Sequence, residues 1–191
     1  MPLRLFSLIA LLCLSFALHA QSESRARYQV YGGYTFLSNS LDGVAGSHQP
    51  LNGWDAALAF PSWHSLRFKM DFAAYRGTNL GAPQHPYFIL GGGQYTRRLA
   101  RESVFVQALM GTGGANKTWA ADNAIGQTAS FASLVGGGLD TPLKRRIAFR
   151  VEGGYQYSYF ALVQPGSLVP YRIPGLPNNF GRISSGLVWL F

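Results

Sequence analysis

A chain of 191 residues suits one domain, long enough to close a sheet on itself and too short for a second folded unit of ordinary size. Charged residues make up 13% of it and aromatics 14%, where a water-soluble domain usually carries about 25% charged residues, so a soluble exterior would be poorly solvated. The net charge of +8 does not point to nucleic acid. Arg97, Arg98 and Arg101 form one cluster and Lys144, Arg145 and Arg146 another, both in short connectors, with no basic helix and no stacking platform. Their bland reading is solvated turns near anionic lipid headgroups.

The N-terminus reads as an export signal. Arg4 supplies the positive start, Leu5 to Ala17 an apolar run of about 13 residues, and Leu18-His19-Ala20 a cleavage site. A spanning helix would need roughly 20 apolar residues. The expected division is therefore a signal peptide over 1–20 and one mature domain over 21–191. Leu12 stands where a lipoprotein site wants a small residue, so Cys13 leaves with the signal. Disulfides, thiolate catalysis and cysteine-held metals leave with it.

Period-two alternation then recurs in eight segments, and helical spacing is nowhere convincing. The first strand is expected over Tyr28–Leu37, with Val30, Tyr34 and Phe36 on one face and Gln29, Tyr31, Gly33 and Thr35 on the other. The second, Asn52–Phe60, sets Trp54, Ala56, Leu58 and Phe60 against Asp55, Ala57 and Ala59. The third, Ser65–Tyr75, is the clearest: Leu66, Phe68, Met70 and Phe72 alternate with Arg67, Lys69, Asp71 and Tyr75. Placing that ionic face in hydrocarbon would cost about 2 to 4 kcal/mol for each midplane Arg or Lys, so it must look inward.

Strands four (Tyr87–Thr96), five (Val104–Gly113) and six (Thr128–Asp140) are weaker, apolar on both faces and rich in glycine. The seventh, Ile147–Tyr159, repeats the design of the third, with Phe149, Val151 and Tyr155 outward and Arg150, Glu152, Gln156 and Ser158 inward. Connectors alternate in length: long at Ser38–Leu51, Arg76–Pro86, Gly114–Gln127 and Phe160–Asn179, short at Pro61–His64, Arg97–Glu102 and Thr141–Arg146. This is the pattern of an all-β, eight-stranded antiparallel up-and-down transmembrane β-barrel, with turns in the periplasm and loops outside. Arg67, Lys69, Asp71, Arg150 and Glu152 are expected to form a polar network within it, and Gly33, Gly92, Gly136 and Gly154 to make room for the long basic side chains.

The chain closes on Ser184-Ser185-Gly186-Leu187-Val188-Trp189-Leu190-Phe191. Ser184, Gly186, Trp189 and Phe191 resemble the C-terminal assembly signal of outer-membrane barrels. The mature chain also resembles the outer-membrane β-barrel domain family related to the small outer membrane protein A and X barrels. The resemblance is carried by Val30-Tyr31-Gly32-Gly33-Tyr34-Thr35-Phe36-Leu37, Leu51-Asn52-Gly53-Trp54, Gly136-Gly137-Gly138-Leu139-Asp140 and Asn178 to Gly186. It implies a fold and a location in the Gram-negative outer membrane, with surrounding lipid and the barrel assembly machinery as partners. It carries no active site across.

Other chemistry reads weakly. Gly111-Thr112-Gly113-Gly114-Ala115-Asn116-Lys117-Thr118 lacks the second glycine of a phosphate-binding loop at Asn116, and no amphipathic helix follows. His48, His64 and His85 fall in three connectors, so they make a poor metal site. His48 or His85 with Ser47, Asp42 or Asp122 could serve a lipid A acyltransferase or deacylase, but no catalytic spacing is present. The expectation is a monomeric structural or surface-display barrel acting in envelope integrity or adhesion, without catalysis, cofactor, metal or nucleic acid. The rivals are that lipid A enzyme and a small pore.

Overall fold

The computed structural model describes residues 28–38, 50–63, 65–79, 82–99, 101–118, 125–163 and 172–191. The expected signal peptide lies outside these residues, as do His48, His64, Ser47, Asp42 and Asp122. Eight strands follow one another: β1 (Gln29–Ser38), β2 (Leu51–Trp63), β3 (Leu66–Asn79), β4 (Ala82–Leu99), β5 (Glu102–Thr118), β6 (Ile125–Lys144), β7 (Ile147–Val163) and β8 (Arg172–Leu190). Each pairs antiparallel with its neighbour in sequence, and β1 pairs with β8 from Gln29↔Leu190 to Ser38↔Gly181. The result is a closed up-and-down barrel, which leaves no open edge.

Alternation decides which face is which, and the apolar face is outside. Phe68 and Val151 are 48% and 45% exposed, while Lys69 and Arg150, one residue away in each strand, are 0% and 1% exposed. The same inversion runs round the barrel through Val30, Leu58, Val106, Val135 and Ile183, all exposed. In water this exterior would be an apolar patch far beyond what a soluble monomer tolerates. A lipocalin-like soluble barrel, with its apolar face indoors, is thereby excluded.

The strands at the loop end are longer than the alternation predicts. The connector expected over Arg76–Pro86 is instead strand to Asn79 and again from Ala82; β5 runs on to Thr118 with β6 resuming at Ile125, and β7 runs to Val163 with β8 resuming at Arg172. The cause is that backbone ladder bonds do not depend on side-chain polarity, so pairing continues where the hydrophobic signal fades. Four of the six prolines within these strands sit at irregularities, while Pro83 and Pro177 keep regular pairing with Thr78 and Tyr159. Pro61, Pro142 and Pro174 coincide with register shifts, and at Pro86 the β3–β4 register passes from Ala74↔Tyr87 directly to Gly77↔Gln84. A residue without an N–H is accommodated where the ladder is already broken.

The inward glycines serve a different purpose from the one expected. A Cβ on Gly92 would meet the Ala108 carbonyl oxygen at 2.2 Å, one on Gly136 the Gly153 oxygen at 2.4 Å, and one on Gly154 the Val135 oxygen at 2.7 Å. These glycines allow close backbone approach between paired strands rather than space for basic side chains. At Gly33 the obstructing atom is the Tyr31 hydroxyl, at 2.2 Å.

Candidate functional site

The barrel interior is layered along its axis. Nearest the turn end, Arg150 from β7 donates to Asp140 from β6 through two bonds, Nε to Oδ1 at 2.7 Å and Nη2 to Oδ2 at 2.8 Å. Its Nη2 also donates to Gln29 Oε1 at 3.1 Å. The guanidinium carbon lies 4.4 Å from the Phe105 ring centre and 5.4 Å from that of Tyr31, so two aromatic rings lie against the ion.

In the middle, the Lys69 ammonium donates to Gln107 Oε1 at 2.9 Å and to Glu152 Oε2 at 3.0 Å, with Asp71 Oδ2 3.6 Å away. Ser184 Oγ donates to the other Glu152 oxygen at 3.2 Å. Arg182 from β8 bridges the remaining carboxylates. It donates to Asp71 at 2.7 and 3.1 Å and to Asp55 at 2.8 Å, and it stands 3.8 Å from Glu152.

Alternation explains why these side chains point inward, and strand pairing explains why they meet. Asp55 and Asp71 lie on β2 and β3, while Glu152 and Arg182 lie on β7 and β8, which the β1–β8 seam brings round so that at most two strands separate them from β2. Among the described residues three cations (Lys69, Arg150, Arg182) and four carboxylates (Asp55, Asp71, Asp140, Glu152) are buried. Arg67, half-buried at the turn-end mouth, lies in the field of Asp140 and Arg150. Ions removed from water at this depth are tolerated only when paired and hydrogen-bonded, which is the arrangement here.

Toward the loop end the filling becomes apolar. Leu37, Leu51, Tyr75, Phe88, Leu90 and Phe180 are core members of one buried cluster, with Phe88 meeting Tyr75 and Phe180 edge-on at 6.0 and 6.4 Å between ring centres. Small residues Ala57 and Ala148, with Tyr31 and Val188, make a second cluster toward the turns. The polar side chains Gln156 and Ser158 are fully buried in the loop-end half of β7.

Of the residues expected to form the network, Lys69, Asp71 and Glu152 are brought together in the middle layer, Arg150 pairs separately with Asp140 and Gln29 nearer the turns, and Arg67 sits at the edge. Three further members, Asp55, Asp140 and Arg182, are not assigned by the sequence. In the sequence Asp55 stands out only as lying on the face opposite Trp54, Asp140 only as a strand end, and Arg182 only as part of the Asn178 to Gly186 stretch that carries the family resemblance; the signal for Arg182 is the alternation Phe180, Arg182, Ser184 against Ile183. Carboxylate oxygens of Asp55, Asp71 and Glu152 lie within 4.8 Å of one another, a spacing suited to a metal. The Arg182 guanidinium and Lys69 ammonium already hold these oxygens, so a metal ion does not fit the donor set. His85 is exposed on β4, and Gly111–Thr118 is strand, not a phosphate loop.

The C-terminal motif splits between the two faces of β8. Ser184 turns inward to Glu152, while Trp189 and Phe191 are exposed outward. Gly186 lies at the closing seam, where a Cβ would fall 2.2 Å from the Gly32 oxygen and 2.4 Å from the Gly33 Cα. Phe191 N donates to Tyr28 O at 3.0 Å, tying the two ends of the barrel wall together.

Neither a protein-family model nor a curated protein matches the chain. Solved structures do. Neisserial surface protein A is 15% identical, with 86% of this chain and 96% of that one covered at a TM-score of 0.56. Ail, the attachment invasion locus protein of Yersinia pestis, is 16% identical over 87% of this chain and 99% of its own, also at 0.56. Outer Membrane Protein W of E. coli is 11% identical over 89% and 100%, at 0.53. All are outer-membrane barrels, and at these identities the likeness establishes the fold: this chain has the architecture of the small eight-stranded outer-membrane barrels.

Proposed function

We propose that the protein is an outer-membrane barrel of Gram-negative bacteria whose role is structural, displaying its loops outward for envelope integrity or adhesion, without turnover. The observation that carries this reading is the filled interior. An ionic tier from Asp140 to Asp55 and an apolar tier around Phe88 occupy successive levels of a barrel whose eight-strand girth leaves room for side chains and little more. A small pore is disfavoured by the same filling. The likeness to Ail, named for attachment and invasion, supports display as a use to which this fold is put.

Export by the segment 1–20 and insertion by the barrel assembly machinery through Ser184, Gly186, Trp189 and Phe191 complete the reading, with the mature chain a monomer. The test is fractionation with surface proteolysis of intact cells. The protein should appear in the outer-membrane fraction, migrate faster on a detergent gel before boiling than after, and lose loop segments to external protease. Planar-bilayer recording should give no discrete conductance. Lipid A mass spectra should be identical with and without the gene; an acyl-chain change would replace display with a lipid A enzyme.

A further inference from the structure

Six exposed basic residues are gathered at the turn end of the barrel. Arg97, Arg98 and Arg101 on the β4–β5 hairpin and Lys144, Arg145 and Arg146 on the β6–β7 hairpin are all exposed, and Glu102 is the one exposed carboxylate of these two turns. The hairpins are neighbours, because β5 pairs with β6 as far as Ser103↔Asp140 at this end. At about 4.8 Å between adjacent strands, the outer strands β4 and β7 are roughly 14 Å apart. Six cations therefore share a short arc of one rim.

That arc is set among apolar anchors. Leu99 stands exposed inside the first basic run and Leu143 directly before the second, at 49% and 58%. Trp63 flanks one side, on the β2–β3 turn that joins β4 through the bond from Thr96 N to Ser65 O; Trp189 flanks the other, paired with Ile147 and next to the bond from Leu190 N to Arg146 O. A turn solvated only by water gains nothing from bare leucines beside its basic residues. At a membrane surface both parts are used: Leu and Trp reach the acyl boundary while guanidinium and ammonium groups meet phosphates.

We propose that this rim is a headgroup-binding crown selecting anionic phospholipid in the leaflet at the turn end of the barrel. The occupant is a lipid phosphate and not an acidic protein, because the patch is continuous with the apolar belt through Leu99, Leu143, Trp63 and Trp189. The proposal rests on the membrane reading above, and its test separates the two.

The barrel carrying Trp54→Phe and Trp119→Phe, which leaves Trp63 and Trp189 as reporters, is reconstituted in phosphatidylcholine bilayers containing either brominated phosphatidylglycerol or brominated phosphatidylcholine. Tryptophan quenching should show the anionic lipid preferred by about five-fold at low salt, and the preference should fall as salt screens the surface. Arg98→Gln, Arg101→Gln, Lys144→Gln, Arg145→Gln and Arg146→Gln together should remove the preference, and the Lys144, Arg145 and Arg146 changes alone should reduce it, each in a barrel that retains heat-modifiable migration. Equal quenching by both lipids in the native-charge barrel, or a preference that survives the five changes, overturns the crown and leaves the membrane reading intact. No quenching by either lipid overturns both. Equal quenching together with charge-dependent binding of soluble polyglutamate would assign the patch to an acidic macromolecule and likewise overturn the proposal.

Discussion

The two tiers of the barrel interior fill the same girth by opposite means. Around Arg182, three carboxylates from three strands converge on one guanidinium, and each ion is acceptable only because the others are present. Around Phe88, rings and leucines fill space, and each makes its own contribution through contact area. Loss in the first tier should be abrupt and shared; loss in the second should be graded and local.

The sharpest way to break that contrast is Arg182→Ala, which strands Asp55 and Asp71 without their bridging cation. It should cost about 4 kcal/mol, read as a lowered urea midpoint for the refolded barrel in detergent. A cost under 1 kcal/mol would mean that water hydrates the carboxylates and the tier is not closed. Phe88→Ala opens a cavity against Tyr75 and Phe180 and should cost about 3 kcal/mol in the same measurement, with Phe88→Leu falling well below it.

Outside the barrel, Val151→Arg places a cation on the lipid face one residue from the buried Arg150. It should cost about 2 to 3 kcal/mol in lipid bilayers, and much less in a water-rich micelle; equal costs in both would remove lipid as the reason for the apolar exterior. The smallest effect belongs to Arg150→Lys, which keeps the charge and gives up one of two bonds to Asp140. About 1 kcal/mol is expected, with Asp140→Asn removing the difference between Arg and Lys at this position in a double-mutant cycle.

Sequence alternation settles the faces of β3 and β7 because ionic and apolar residues interleave there, and turning either strand over is energetically prohibitive. It therefore placed Lys69, Asp71, Arg150 and Glu152 indoors. It could not pair them. Whether Lys69 meets Glu152 or Asp140 depends on strand stagger around the closed wall, a property of all eight strands together and of no single segment. Arg182 was obscured for a related reason: β8 reads as an assembly motif, and its inward register becomes decisive only when the seam with β1 is closed. The extra length of β4 to β8 was invisible because the backbone ladder leaves no mark on residue choice once hydrophobic alternation stops. The glycines were assigned the wrong neighbour, since carbonyl oxygens across a tightly coiled pair are not legible in one dimension.

The bond from Arg182 to Asp55 spans 127 residues, and those to Asp71 span 111. Synthesis proceeds from β1 to β8, so the counter-ion for two early aspartates is the last to arrive. A partly zippered intermediate without β8 leaves Asp55 without its cation and Asp71 with Lys69 alone, which penalises insertion of an incomplete hairpin array into hydrocarbon. Charge pairing inside the barrel thereby acts as a completeness check on the polypeptide, satisfied only when its final strand has docked against its first.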